Sequence, residues 1–154
     1  MADPTPGDVV DALAQLSWHV QAQITDAASA YGVSSSLLRL LGILRDREPE
    51  MLELARHLQL DKSSVTGLVA RAEARGLVER AAGTSDRRTV VVRLTDSGRD
   101  LAVALEADVQ ERLGVVIDGM SAGARRDLVT LVDSAVPHPG SSGSQASSRG
   151  AAPA

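Results

Sequence analysis

Apolar residues recur at spacings of three and four along most of this 154-residue chain, and only near residue 90 do they form a short β-branched run. From Asp8 to about Tyr31 the repeat is Val9, Leu13, Leu16, Val20, Ile24, Ala27, Tyr31, which predicts one long helix with a single strong stripe, ended by Gly32. Trp18 points almost opposite that stripe, beside Ala14, Ala22 and Thr25, so this helix is expected to be covered on two sides. Ser34, Ser35 and Ser36 supply a cap for a second helix running to about Arg45. Its leucines and Ile43 surround nearly the whole cylinder, predicting a central, buried helix in which Arg39 needs an ion-pair partner or a path for its charge to reach water. Pro49 breaks the chain. Two more helices are predicted after residue 95, from about Asp96 to Gly119 and from Ala122 to Ala135, with stripes of Leu101, Leu105, Val109, Leu113, Val116 and Ile117, then Leu128, Leu131 and Val132.

The stretch from Leu52 to Thr95 reads as helix, tight turn, helix, strand, loop, strand. Leu52, Leu54, Ala55 and Leu58 form the apolar side of its first helix. Asp61 is a good N-cap for the second, because its carboxylate accepts orphan backbone N–H groups at the positive helix end. Val65, Leu68, Val69 and Ala72 predict one buried face, and Gly76 a left-handed stop. The opposite face holds Lys62, Ser63, Ser64, Thr66, Gly67, Ala70 and Arg71, which are small, polar or basic and suit close approach to base edges. This order is that of a winged helix-turn-helix.

Strands are predicted at Leu77 to Ala81 and Thr89 to Leu94, joined by Ala82-Gly83-Thr84-Ser85-Asp86-Arg87-Arg88. A hairpin tip with two arginines is poorly explained by packing and well explained as a probe of the narrow, negative minor groove. Asp86 can hold an arginine guanidinium and fix its direction. The bland alternative is a solvated turn with an incidental charge pair; following a recognition-like helix, the DNA reading is preferred.

Together these residues resemble the MarR family of bacterial transcription regulators. The resemblance lies in Glu53-Leu54-Ala55, the helix start from Asp61 to Val69, Arg75-Gly76-Leu77-Val78-Glu79-Arg80, the Asp86-Arg87-Arg88 tip and Leu94-Thr95-Asp96-Ser97-Gly98. The family's wing Asp-x-Arg pair corresponds to Asp86 and Arg88. The resemblance implies a homodimer, palindromic operators and often a small-molecule ligand that releases DNA. Two departures stand out. Ala72 replaces a larger apolar residue, implying looser local packing, and the helix near Met51 lacks a Ser or Thr cap.

Composition bounds the rest. Hydrophobic content is 44% and aromatic content 1%, so the core must be aliphatic. The chain has no cysteine, which excludes disulfides, thiolate metal sites and cysteine redox switching. The net charge of −4 argues superficially against DNA, but residues 62–99 carry eight basic and four acidic side chains while the remainder carries eight and sixteen. That asymmetry suits a binding face on an otherwise repelled body. Only Lys62 among the sixteen basic residues is lysine.

His19, His57 and His138 lie in three separate segments without a second ligand at metal spacing, and no nucleophile elbow, phosphate loop or paired-carboxylate motif is present. The expected fold is mainly α with a small β-hairpin wing. In this single-domain chain a winged helix-turn-helix lobe at 34–95 is flanked by a helical dimerisation region at 8–33 and 96–136, with a disordered Ser/Gly/Ala-rich tail at 137–154. The outer helices cannot hide their stripes in so small a chain, so a homodimer burying roughly 2,000 Å² or more is expected.

The expected function is sequence-specific binding of double-stranded DNA by a cytoplasmic, non-enzymatic repressor without cofactor or membrane association. DNA contacts fall to Lys62, Ser63, Ser64, Thr66, Arg71, Arg75, Asp86, Arg87 and Arg88. Trp18 and Arg39 are candidate ligand-binding residues for a small-molecule effector, of which an aromatic compound is one candidate, against the preferred readings of Trp18 as a packing residue and Arg39 as half of an ion pair. The competing class is a winged-helix protein-interaction module.

Overall fold

The computed structural model describes residues 3–83 and 88–135. Its elements are α1 (Pro6–Ala30), α2 (Ser35–Asp46), α3 (Met51–Leu58), α4 (Lys62–Ala74), β1 (Val78–Ala82), β2 (Val90–Leu94), α5 (Asp96–Asp118) and α6 (Ala122–Ala135). This is the mainly helical winged helix-turn-helix expected. The chain forms two compact units, 1–116 and 117–154. No single helix among the described residues is long and apolar enough to cross a membrane. The expected tail lies outside the described residues.

Local chemistry sets the element ends. The first helix begins two residues before the predicted Asp8. Thr5 is its N-cap, and Asp8 completes a reciprocal box, accepting from the Thr5 backbone N–H at 2.8 Å. Gly32 and Gly76 end α1 and α4 in left-handed conformations, with φ of 62° and 70°. At each, a 6→1 and a 5→2 bond satisfy the last carbonyls, for example Leu77 N–H to Ala72 O at 3.0 Å and Gly76 N–H to Glu73 O at 2.8 Å.

The α3–α4 turn uses the same device without glycine. Gln59 adopts φ 56°, and the Leu60 N–H donates to Ala55 O at 3.1 Å. An L-residue pays a steric cost there that glycine avoids. Replacing Gln59 by glycine is expected to raise stability by about 0.5–1 kcal/mol in chemical denaturation, with an unchanged slope.

The core of the first unit gathers Leu37, Leu40, Leu41 and Leu44 of α2, Leu54 and Leu58 of α3, Val65, Leu68 and Val69 of α4, and Val92 and Leu94 of β2. The second helix is central, but it is not buried all round. Arg39, Gly42 and Arg45 are exposed, because its leucines cover only part of the cylinder. Leu52, predicted on the apolar side of α3, is exposed, and half-buried Met51 packs against the core instead.

The strands pair antiparallel with Val78 opposite Leu94, placing Glu79 opposite Arg93, whose guanidinium donates across the pair at 2.7 Å. Successive residues Val91 and Val92 are both buried, although they point to opposite faces. The segment before α3 lies beside them. Glu50 bridges Val91, and the Val92 N–H donates to Pro49 O at 3.0 Å. This pairing anchors the start of α3, where Glu50 makes no side-chain cap.

Candidate nucleic-acid interface

The residues of α4 divide as their spacing requires. Val65, Leu68, Val69 and Ala72 are buried, while Lys62, Ser63, Ser64, Thr66, Ala70 and Arg71 are exposed and Gly67 is half-exposed. Asp61 caps the helix, accepting from the Ser64 N–H at 2.9 Å. It also accepts the hydroxyls of Ser63 at 2.5 Å and Ser64 at 2.6 Å. Those hydroxyl bonds, first from Ser63 and then from Ser64, together with the Ser64 N–H, hold the Asp61 carboxyl well below the usual carboxylate range. With a folded pKa below the ordinary 3.8, its contribution to stability is complete above that value and is lost only as pH falls through the lower one.

This cluster changes what the helix offers. The Ser63 and Ser64 hydroxyl protons are engaged with Asp61, and the Thr66 hydroxyl donates to Lys62 O at 2.8 Å. All three hydroxyls therefore present acceptor lone pairs outward, suited to the amino donors of adenine and cytosine rather than to phosphate. The pattern Asp-x-Ser-Ser at a helix start carried this signal in the sequence; only the spatial pairing assigns the protons.

The wing follows directly. The Gly83 N–H donates to Thr89 O at 2.8 Å, closing the hairpin below its tip. Arg88 is exposed at the end of that tip. The predicted contacts Asp86 and Arg87 lie outside the described residues. Two basic side chains of this region are committed to the scaffold: Arg80 pairs with Glu73 of α4 at 2.6 Å, and Arg93 with Glu79.

Among the described residues, cavities lie on two sides of α2. One, of about 280 Å³, lies against α5 and is lined by Leu38, Leu41, Leu105 and Val109, with Arg45 and Glu106 paired beside them. The other, of about 340 Å³, lies against α3 and is lined by Arg39, Asp46, Arg47 and His57. Trp18 and Arg39 are not brought together. Arg39 lines only the second cavity, whereas Trp18 lines neither and is 72% exposed, so within the chain it is not a packing residue. Arg39 has no ion pair, so the partner expected for it is absent among the described residues, and its charge reaches water directly.

A buried-backed helix start followed by an arginine-bearing hairpin is also where known proteins agree with this chain. The MarR family model matches residues 31–89. Over this segment the chain is similar to the MarR family. The transcriptional repressor NicR of Pseudomonas putida is 28% identical over 135 residues, covering 84% of this chain and 85% of NicR. The uncharacterized transcriptional regulator YdgJ of Bacillus subtilis is 29% identical over 102 residues, which are 66% of this chain and 62% of YdgJ. In three dimensions the fold matches CouR of Rhodococcus jostii RHA1, solved with p-coumaroyl-CoA. The TM-score is 0.76 at 25% identity, over 89% of this chain and 98% of CouR.

Within this MarR-type lobe, Ala72 departs from the family's larger residue yet is fully buried. Arg75, at the far end of α4, donates to Gly32 O at 3.3 Å, which ties α4 to the turn after α1. Gly67 has a role that spacing did not reveal. A Cβ there would come within 3.2 Å of Arg71 Nη1, so the Arg71 guanidinium lies across the bare backbone. Replacing Gly67 by alanine is expected to raise stability by about 0.5–1 kcal/mol through helix propensity while displacing Arg71. Operator affinity falls as melting temperature rises if Arg71 contacts DNA; equal affinity removes Arg71 from the interface.

Proposed function

We propose that the protein is a homodimeric repressor that reads palindromic operators in double-stranded DNA and is released by a small-molecule effector. The observation that carries this reading is α4, whose apolar side is fully buried and whose Lys62–Arg71 side is exposed beside an arginine-tipped hairpin. Each α4 enters a major groove, and the twofold axis spaces the half-sites about 34 Å apart or a multiple. Lys62 and Arg71 contact phosphates or guanines, while Ser63, Ser64 and Thr66 accept from bases. Arg75 adds a phosphate contact through the guanidinium N–H groups not used on Gly32. Arg88, directed by Asp86, reaches the minor groove with Arg87.

Pairing of two copies is supported by apolar surface that the chain leaves uncovered. The first helix exposes Val9 and Leu13, and α6 buries none of its residues. The apolar cavity between α2 and α5 suits an aromatic effector. CouR, bound to an aromatic acyl thioester, supports that choice.

Replacing Arg88 by alanine is expected to weaken operator binding by about 1–3 kcal/mol and lower the salt slope by about one. A mobility-shift titration at several salt concentrations measures both. Unchanged affinity and slope would remove the wing from the interface. Selection of bound sequences from random DNA tests the whole reading, which fails if no twofold-symmetric site emerges.

A further inference from the structure

The cavity between α2 and α3 has a charge pattern that neither DNA reading nor dimerisation uses. Asp46 is held by Arg45 in two bonds, at 3.0 and 2.8 Å, although Arg45 also pairs with Glu106. Among the described residues Arg39 has no ion-pair partner. Arg47 lies near Asp46, and its hydrogen-bond partner is an imidazole, its Nη1 lying 3.2 Å from His57 Nε2. The same Nε2 lies 3.3 Å from Glu53 Oε1. His57 is recessed, its side chain 7% exposed, while Arg39 and Arg47 are open to solvent. No charged group of α4 or β2 lines the cavity.

One nitrogen cannot serve both neighbours. To accept from Arg47, Nε2 must carry no proton; to donate to Glu53, it must carry one. A protonated His57 pairs with Glu53 and repels Arg47, releasing that guanidinium into the cavity. Two guanidiniums then face one polar space of about 340 Å³, whose one carboxylate, Asp46, is bonded to Arg45. Carboxylate and phosphate oxygens are the groups that such forks bind.

We propose that this cleft binds an oxyanion, a phosphate or carboxylate group held by Arg39 and Arg47, and that its occupancy is coupled to protonation of His57. An anion draws Arg47 away from Nε2, which frees that nitrogen to donate to Glu53, and the negative charge of Glu53 and the bound anion then favours the imidazolium over the neutral Nε2–H tautomer. Binding therefore tightens as pH falls. The anion is carried either by a free small molecule or by the backbone of bound DNA. The free-anion form does not rest on the DNA-binding reading.

The test uses the full chain and sulfate, whose charge is constant between pH 6 and 8. Titration followed by nuclear magnetic resonance is expected to show saturable shifts at Arg39, Arg47 and His57, severalfold tighter at pH 6 than at pH 8. The exposed double substitution Arg39→Gln with Arg47→Gln is expected to weaken binding at least tenfold. His57→Gln is expected to retain binding and lose its pH dependence. A second arm follows DNA affinity against salt concentration. A slope lowered by about two in the double variant, without saturable sulfate binding, assigns the anion to DNA phosphates. Absence of both saturable sulfate binding and a slope change overturns the site. A pH dependence that survives in His57→Gln overturns the proton coupling.

Discussion

Replacement of Gly98 by alanine is expected to unfold the first unit or lower its stability by about 3 kcal/mol or more, a large share of a typical domain's total. Gly98 sits in the first turn of α5, and an added Cβ would lie 1.8 Å from the Leu77 carbonyl oxygen and 2.8 Å from its carbon. The obstacle is backbone, so no rotamer relieves it. The same carbonyl accepts from the Thr95 N–H at 3.1 Å, and the Thr95 hydroxyl donates to Gly76 O at 2.6 Å while accepting from the Gly98 N–H at 3.1 Å. The end of α4, the start of the wing and the N-cap of α5 thus meet at one point. Forcing α5 away breaks these bonds together. The effect is not general to helical glycines, since a Cβ at Gly42 in α2 would meet nothing within 4 Å. Thermal melting and far-ultraviolet circular dichroism check this; a variant that melts within a few degrees of the parent would show that the two backbones can separate cheaply.

Substitution of Leu131 by aspartate is expected to do the reverse: leave the isolated chain folded and abolish its assembly. Leu131 is 63% exposed, and Val129 and Val132 of the same helix are exposed with it, so a carboxylate there costs the monomer almost nothing. In an interface between copies the same carboxylate would be buried without a partner, at a cost of several kcal/mol per subunit. Sedimentation is expected to shift from dimer to monomer. Operator affinity falls by about two orders of magnitude or more, because a monomer engages one half-site at a time. A variant that stays dimeric and binds normally would place the twofold contact elsewhere.

Much of the molecule was legible in the residue pattern. The buried side of α4, both glycine helix stops, the antiparallel hairpin and the start of α6 fall where spacing and capping chemistry put them. These are local decisions, made by residues within a few positions of one another. The first errors arose where local information ran out. Leu52 is apolar but faces water, because periodicity names a helix face without naming what covers its edge. The first helix starts before Asp8, because its Thr5 cap lies outside the apolar repeat that predicts the helix.

The candidate interface divided in the same way. Lys62 to Arg71 were identifiable from the contrast between two faces of one helix. Their exposure is a consequence of Val65, Leu68, Val69 and Ala72 being buried. The engagement of the serine hydroxyls by Asp61 decides donor from acceptor, and that requires coordinates.

By itself the sequence determined the order of elements, which helix faces are apolar, and that positive charge is concentrated between residues 62 and 99, because each is set by composition and spacing along one line. Only the tertiary structure decided that Gly98 must be glycine, that Pro49 lends its carbonyl to the second strand, and that Arg39, Arg47 and His57 line one cleft. Those facts depend on distances between residues far apart in the chain, and a one-dimensional pattern carries no such distances.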